Sequence, residues 1–211
     1  MTTARIILVR HGETAWNLEG KQQGHLDSPL TPRGLAQGGA LARRLKLEDF
    51  AALYSSDLGR AYQTARFIAD KTGHKILTSQ RLRERNLGIF QGLTKAEIQK
   101  QFPEEYRFYK RAGPEYVIPS GESGRDYFNS TTRFLEGLAK EHSGQQIVIV
   151  THGGVLNAAF RHALAIPLET PRRFALLNAS LNVFDYEGGK WRLEVWGDVN
   201  HLLEIGTADD S

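Results

Sequence analysis

Two histidines in this chain each stand directly behind a run of aliphatic residues. Arg10-His11-Gly12-Glu13-Thr14 follows Ile6-Ile7-Leu8-Val9, and Thr151-His152-Gly153-Gly154 follows Ile147-Val148-Ile149-Val150. A neutral imidazole nitrogen can attack phosphorus and carry the phosphoryl group covalently, provided a hydrogen bond on the other nitrogen fixes the tautomer. The group in flight spreads negative charge over its non-bridging oxygens, so the reaction also needs fixed positive donors. Arg10 beside His11, and Arg60 in Ser55-Ser56-Asp57-Leu58-Gly59-Arg60-Ala61, offer forked donors that stay charged at any working pH. His11 therefore reads as a nucleophile and His152 as a donor to phosphoryl oxygens. A helix opening at Gly153 would add amide donors and the positive end of its dipole. Such a site binds a dianion with no metal and no other cofactor.

These groups meet only if the chain brings them together. Apolar runs of this length, bounded by polar turns, read as buried strands, and parallel strands present their carboxyl ends at one rim. The expected strands are Ala4 to Val9, Ala51 to Tyr54, Lys75 to Thr78 and Ile147 to Val150, with a hairpin of Leu181 to Phe184 and Trp191 to Val195 around Gly188-Gly189. Between them lie helical patterns. Thr31-Pro32 supplies an N-cap and a first-turn proline, Asp57 is placed to cap the next helix, Gly73 closes it, and Thr94 to Glu97 has capping-box spacing. A further helix runs through Phe128 to Leu138, and another through Val155 to Ala163. Strands alternating with helices predict an α/β fold of three layers, α/β/α, with a mainly parallel sheet covered by helices on both faces. Pro103 and the aromatic segment Tyr106 to Tyr109 mark residues 94–119 as a lid or insertion in a single domain spanning 1–211, with a frayed tail from Gly206.

Composition narrows the function classes. The 211 residues carry 27 basic and 24 acidic side chains, a net charge of +3 too small and too dispersed for a nucleic-acid footprint. A cationic pocket for a small anion accounts for it. The absence of cysteine removes thiolate nucleophiles, disulfides and cysteine-based zinc sites. The first strand turns polar too soon for a signal peptide, and no apolar stretch approaches the ~18 residues of a membrane span. The expectation is a cytoplasmic protein acting on a small phosphorylated metabolite, with neither nucleic acid nor membrane as partner.

Taken in order along residues 5 to about 202, the motifs resemble the histidine phosphatase superfamily, also called the phosphoglycerate mutase-like family. Its RHGE is matched by Arg10-His11-Gly12-Glu13, its Trp-Asn and Gln-Gly by Trp16-Asn17 and Gln23-Gly24, and its DSPLTxxG by Asp27 to Gly34. The SDLxRAxQTA segment is matched by Ser56 to Ala65, the second histidine motif by Thr151-His152-Gly153, and the LRE…GxxxG pattern by Leu82-Arg83-Glu84 with Gly88 and Gly92. The resemblance implies a phosphoglycerate mutase-like fold and phosphorylation of His11. It implies that Arg10, Arg60 and His152 hold the phosphate, that Asn17 and Gln23 touch it, and that Glu84 acts as general acid and then base. Many relatives pair as homodimers, so the resemblance leaves that state open for this chain.

Other roles compete for the same residues. Glu13 reads better as a brace for its loop than as a catalytic group, and Trp16 with Asn17 also fits a short capped turn. His25, His74, His142, His162 and His201 match no motif that requires them. Arg81, Arg83 and Arg85 read as a solvated face, and the Tyr106 to Tyr109 cluster with Trp191 and Trp196 as packing. The leading function is a phosphomonoester hydrolase with a phosphohistidine intermediate. Its rivals are a cofactor-dependent phosphoglycerate mutase, which in the family brings a longer chain and extra lid segments, and a catalytically silent module that binds phosphorylated ligands. The intact set Arg10, His11, Arg60, Glu84 and His152 argues against silence. A metal hydrolase is disfavoured because no histidine–carboxylate pair shows the close ligand spacing expected on one helix.

Overall fold

A computed structural model describes residues 2–206. Its elements in chain order are β1 (Ala4–Arg10), α1 (Ala15–Leu18), α2 (Pro32–Leu45), β2 (Ala52–Ser56), α3 (Gly59–Thr72), β3 (Ile76–Ser79), α4 (Lys95–Gln101), α5 (Pro103–Ala112), α6 (Gly124–Glu141), β4 (Gln146–Thr151), α7 (Gly153–Ala163), β5 (Leu181–Glu187) and β6 (Lys190–Asp198). The six strands form one sheet in the order β3-β2-β4-β1-β5-β6. The first four run parallel; β5 lies antiparallel to β1, and β6 antiparallel to β5.

Alternation along the central strands divides the core into the two faces of an α/β/α sandwich. Ile6, Leu8, Ile147 and Ile149 point to one side and pack with Leu135, Leu138, Val155, Leu156 and Ala159 of α6 and α7. Ile7, Val9, Val148 and Val150 point to the other and pack with Leu41, Leu45, Ala61, Ala65 and Ile68 of α2 and α3. Each such buried aliphatic side chain contributes roughly 1.5–3 kcal/mol relative to leaving it in water, which anchors the strands whose ends carry the chemistry. No helix among the described residues is long and apolar enough to cross a membrane.

The helix signals in the sequence are used where local chemistry decides them. The Thr31 hydroxyl accepts from Gly34 N with Pro32 in the first turn, Gly73 takes φ +79° at the end of α3, and Thr94 with Glu97 forms the expected capping box. α4 stops at Gln101, and Pro103 starts α5, its ring fixing the first turn of a new helix after Phe102. Within 94–119, Ile98 and Ile118 join Phe90 in a small apolar cluster packed by Phe102, Tyr106, Tyr109 and Tyr116, separate from the two main clusters. One cap is elsewhere than expected. Leu58, not Asp57, precedes α3 and makes no side-chain cap; Asp57 instead takes a two-pronged ion pair from Arg83, at 2.7 and 2.5 Å. Of the tail expected to fray from Gly206, residues 207–211 lie outside the described residues.

Candidate active site

The register of the two central strands builds the site. Arg10 at the end of β1 is paired with Thr151 at the end of β4, so His11 and His152 leave adjacent strands side by side. The backbone ties them at once: His11 N donates to Thr151 O at 2.9 Å. Their ring centroids are 5.2 Å apart with planes inclined at 59°. His11 Nδ1 lies 2.8 Å from Gly12 O, and a carbonyl can only accept, so Nδ1 carries the proton and the lone pair of the neutral ring is on Nε2. This is the tautomer a nucleophile needs.

The loop that holds His11 is pressed against the start of α2. A Cβ on Gly12 would stand 2.6 Å from Gly34 O, and one on Gly34 would stand 2.0 Å from Glu13 O, so backbone meets backbone here without side chains between. Glu13 is buried and braces this contact, accepting from the Thr31 hydroxyl at 2.7 Å and from Arg33 Nη1 at 3.2 Å. The bracing role read from the sequence is the one seen, with side-chain donors in place of backbone ones. Asn178, on the loop before β5, donates through Nδ2 to His11 O at 3.0 Å and to Asn17 Oδ1 at 3.3 Å.

Two guanidinia flank the imidazoles, and both are almost completely buried. Arg10 Nη1 donates to Leu176 O. Arg60, in the first turn of α3, donates through Nη1 to Leu26 O at 2.8 Å and Asp27 Oδ1 at 2.9 Å, and through Nη2 to Gly24 O at 2.8 Å. Its Nε has no hydrogen-bond partner among the described residues. Burial draws the Arg60 guanidinium below its usual pKa while Asp27 and Glu84 draw it up, and a group that starts so high remains cationic. His152 is fully buried, and neither of its ring nitrogens has a partner among the described residues. Burial first, then the nearby Arg60, His11 and Arg10, push its pKa well below the ordinary 6.5, so the ring is neutral at neutral pH. Buried donors without partners, set among cations, mark a place prepared for an anion.

Glu84 approaches from the third wall. It follows a single 3₁₀ turn after β3, and Thr151 Oγ1 donates to Leu82 O at 2.8 Å, tying that turn to the end of β4. The carboxylate accepts from Arg85 N at 2.8 Å and from Gly154 N at 2.9 Å. One amide at the opening of α7, where donors to a phosphate were expected from Gly153 onward, thus serves Glu84. Gly153 lies against Arg10, a Cβ there standing 3.6 Å from Arg10 Nε, beneath the cleft rather than on its surface.

The groups open into a cleft of about 880 Å³ whose walls include Arg10, His11, Asn17, Gln23, Arg60 and Glu84. His152 is not among the lining residues and lies fully buried beside His11, their ring centroids 5.2 Å apart. Asn17 spends its side-chain oxygen on Thr14 N in the capped turn and still lines the cleft, as does Gln23, whose buried Oε1 has no partner among the described residues. The outer wall comes from residues 109–114 and 168–172. Arg161, buried on α7, holds the second of these loops by donating to Pro167 O and Thr170 O. Eight Lys or Arg side chains line the cleft against two Glu, in a protein whose net charge is only +3.

Six of the eight candidate site residues thus line this one cleft, with His152 and Gly153 buried beside them. Sequence reasoning missed Asp27 as the partner of Arg60, although it lay in a matched segment, and missed Asn178 and Tyr127, for which no motif spoke. It also took Arg83 and Arg85 for a solvated face. Arg83 holds Asp57, and Arg85 donates to Glu122 O at 2.8 Å and lines the cleft. Three of the other histidines hold the fold: His74 contacts Phe50 O at 2.8 Å, His142 the Tyr54 hydroxyl at 2.9 Å, and His201 Ala179 O at 3.0 Å. The tryptophans Trp191 and Trp196 pack on Phe184 as expected.

An α/β sandwich with a strand-end histidine pair, two buried guanidinia and an opposing glutamate defines a phosphoryl-transfer enzyme. The chain belongs to the histidine phosphatase superfamily, branch 1, whose family model matches residues 6–199. It is 42% identical to phosphoglycerate mutase-like protein 4 of Arabidopsis thaliana over 207 residues, covering 96% of this chain and 89% of that protein. It is 40% identical to a metal-independent phosphoserine phosphatase of the same plant, covering 95% of this chain and 84% of that one. Among solved structures it resembles the phosphoserine phosphatase of Entamoeba histolytica in complex with phosphoserine, with TM-score 0.83 and 30% identity over 95% of this chain and all of that one.

Proposed function

We propose that this protein is a phosphomonoesterase that passes the phosphoryl group of a small metabolite to His11 Nε2 and then to water. The observation that carries the reading is the His11 tautomer, fixed by Gly12 O, beside the unpartnered nitrogens of the neutral His152 ring. Arg10, Arg60 and His152 hold the three non-bridging oxygens as charge moves onto them, with Asn17 and Gln23 at the entrance. Glu84 gives a proton to the departing alcohol oxygen and, as a carboxylate, takes one from the water that attacks the phosphohistidine. Every group named is a protein side chain, and the relative named as a metal-independent phosphatase supports chemistry without a metal cofactor.

The exposed Lys110 and Arg111 at the mouth of the cleft leave it open to water, which favours hydrolysis over mutase chemistry. A mutase must shield that intermediate until its phosphate returns to the bound acid. The surplus of cations in the cleft favours substrates carrying a further negative group, such as the phosphoserine of the named relatives, over phosphates of neutral alcohols. Residues 94–119 act as the lid of a single domain. All parts of the site come from one chain, so this reading needs no dimer, and it fits a cytoplasmic enzyme. Incubation with a panel of phosphomonoesters tests it: release of inorganic phosphate is expected, whereas bisphosphate-dependent conversion of 3- to 2-phosphoglycerate with negligible release would establish the mutase.

A further inference from the structure

Tyr127 sits in the first turns of α6, matches no motif, and takes no part in the chemistry described above. It is nevertheless buried at the inner wall of the cleft. Its hydroxyl donates to Arg83 O at 3.1 Å, the carbonyl immediately before Glu84. It also converges with the Glu84 carboxylate on a single spot above α7: a Cβ built on Gly154 would stand 2.0 Å from Glu84 Oε1 and 2.9 Å from the Tyr127 oxygen. Only a glycine leaves room for both.

Three elements thus meet at the glutamate. Its own turn supplies Arg85 N, α7 supplies Gly154 N, and α6 supplies the tyrosine. The two amides fix the oxygens once the backbone of residues 83–85 lies correctly against α7, and the Tyr127 hydrogen bond sets that backbone. We propose that Tyr127 is the positioning residue of the general acid, holding the Arg83–Glu84 peptide so that the carboxyl group faces the leaving oxygen. Burial first, then the charges of Glu84 and Glu122, push the phenol pKa well above its usual 10, so the hydroxyl keeps its proton and remains a donor across the working range. This inference rests on the role given to Glu84 in the proposed phosphatase.

The test compares an alkyl ester, β-glycerophosphate, with p-nitrophenyl phosphate, whose leaving group needs no proton. Tyr127→Phe removes one oxygen and keeps the ring. It should lower kcat for the alkyl ester about tenfold with KM within about twofold, and leave p-nitrophenyl phosphate turnover within about twofold, the scale of one misplaced hydrogen bond. In a Glu84→Gln background the same change should cost less than about twofold, because groups acting through one another are not additive. Equal losses on both esters, no loss on either, additive losses in the double variant, or weakened binding of inorganic phosphate would each overturn the proposal. Phosphoryl-His11 is assayed first in the wild type. Its absence would sink the reading of the whole site, whereas its presence with uniform losses sinks only the role of Tyr127.

Discussion

The imidazoles of His11 and His152 stand 5.2 Å apart at the ends of neighbouring parallel strands, one with its tautomer fixed by Gly12 O and the other neutral with both nitrogens unclaimed. This relationship assigns different work to the two rings. In the proposed reaction the first attacks phosphorus through Nε2; the second has hydrogen-bonding capacity available for oxygen.

His152 should make stability depend on pH in a direction its burial dictates. Its folded pKa lies well below the unfolded value of 6.5, so below that pH the unfolded chain binds a proton that the native one does not. The contribution is present above pH 6.5 and is lost as pH falls, by up to about 1.4 kcal/mol per pH unit for one group. Denaturant titrations between neutral pH and pH 5 should show this slope flattened in His152→Gln. Saturating inorganic phosphate, whose charge favours the imidazolium, should flatten it in the wild type as well. An unchanged slope in the variant would contradict the assignment.

Arg60 is aligned by Asp27, which also receives Gly59 N and Arg60 N at the start of α3. Asp27→Ala removes both a cap and an orienting partner. It should raise KM for phosphate esters about tenfold and destabilise the protein by about 1–2 kcal/mol. Arg60→Lys should not restore affinity in any background, since an ammonium cannot keep the Gly24 and Leu26 carbonyls while meeting the phosphate. Phosphate affinity measured by calorimetry checks both statements.

Those two cases show what was readable from sequence and what was not. β1, β4 and the histidines behind them were legible because apolar runs and the motifs after them are local, and the register Arg10↔Thr151 then follows from packing both runs in one parallel sheet. Asp57 was misread because capping is a local rule, and a two-pronged pair with Arg83, 26 residues away, outweighed it. Asn178, 167 residues from the His11 carbonyl it holds, had no neighbouring pattern to announce it. Tyr127 was missed for the same reason: its partner is a backbone oxygen, which every residue carries.

Glu84→Gln should lower turnover of alkyl phosphates by about 10²–10⁴ while sparing p-nitrophenyl phosphate, the range for loss of general acid catalysis. Gly154→Ala should reproduce that selectivity, because its methyl would displace Glu84 Oε1 from 2.0 Å away. Parallel kinetics on the two esters are the check, and equal losses on both would remove Glu84 from the acid role.

Glu13 separates bracing from chemistry. Glu13→Ala leaves the Thr31 hydroxyl only the residue 13 carbonyl at 3.5 Å and frees Arg33, and should cost about 1–3 kcal/mol of stability, since its good buried hydrogen bond is lost. At a temperature where the variant is fully folded, the alkyl-to-aryl rate ratio should match the wild type. A changed ratio would mean that Glu13 takes part in proton transfer.

The central claim is that His11 carries the phosphoryl group. Rapid mixing with excess substrate, an alkaline quench that preserves phosphoramidates, and peptide mass spectrometry address it directly. The account predicts one phosphoryl group on the peptide containing His11, formed and discharged at rates compatible with turnover and missing in His11→Ala. Steady release of phosphate with no phosphoryl group on His11, or with the group on His152 instead, would contradict it.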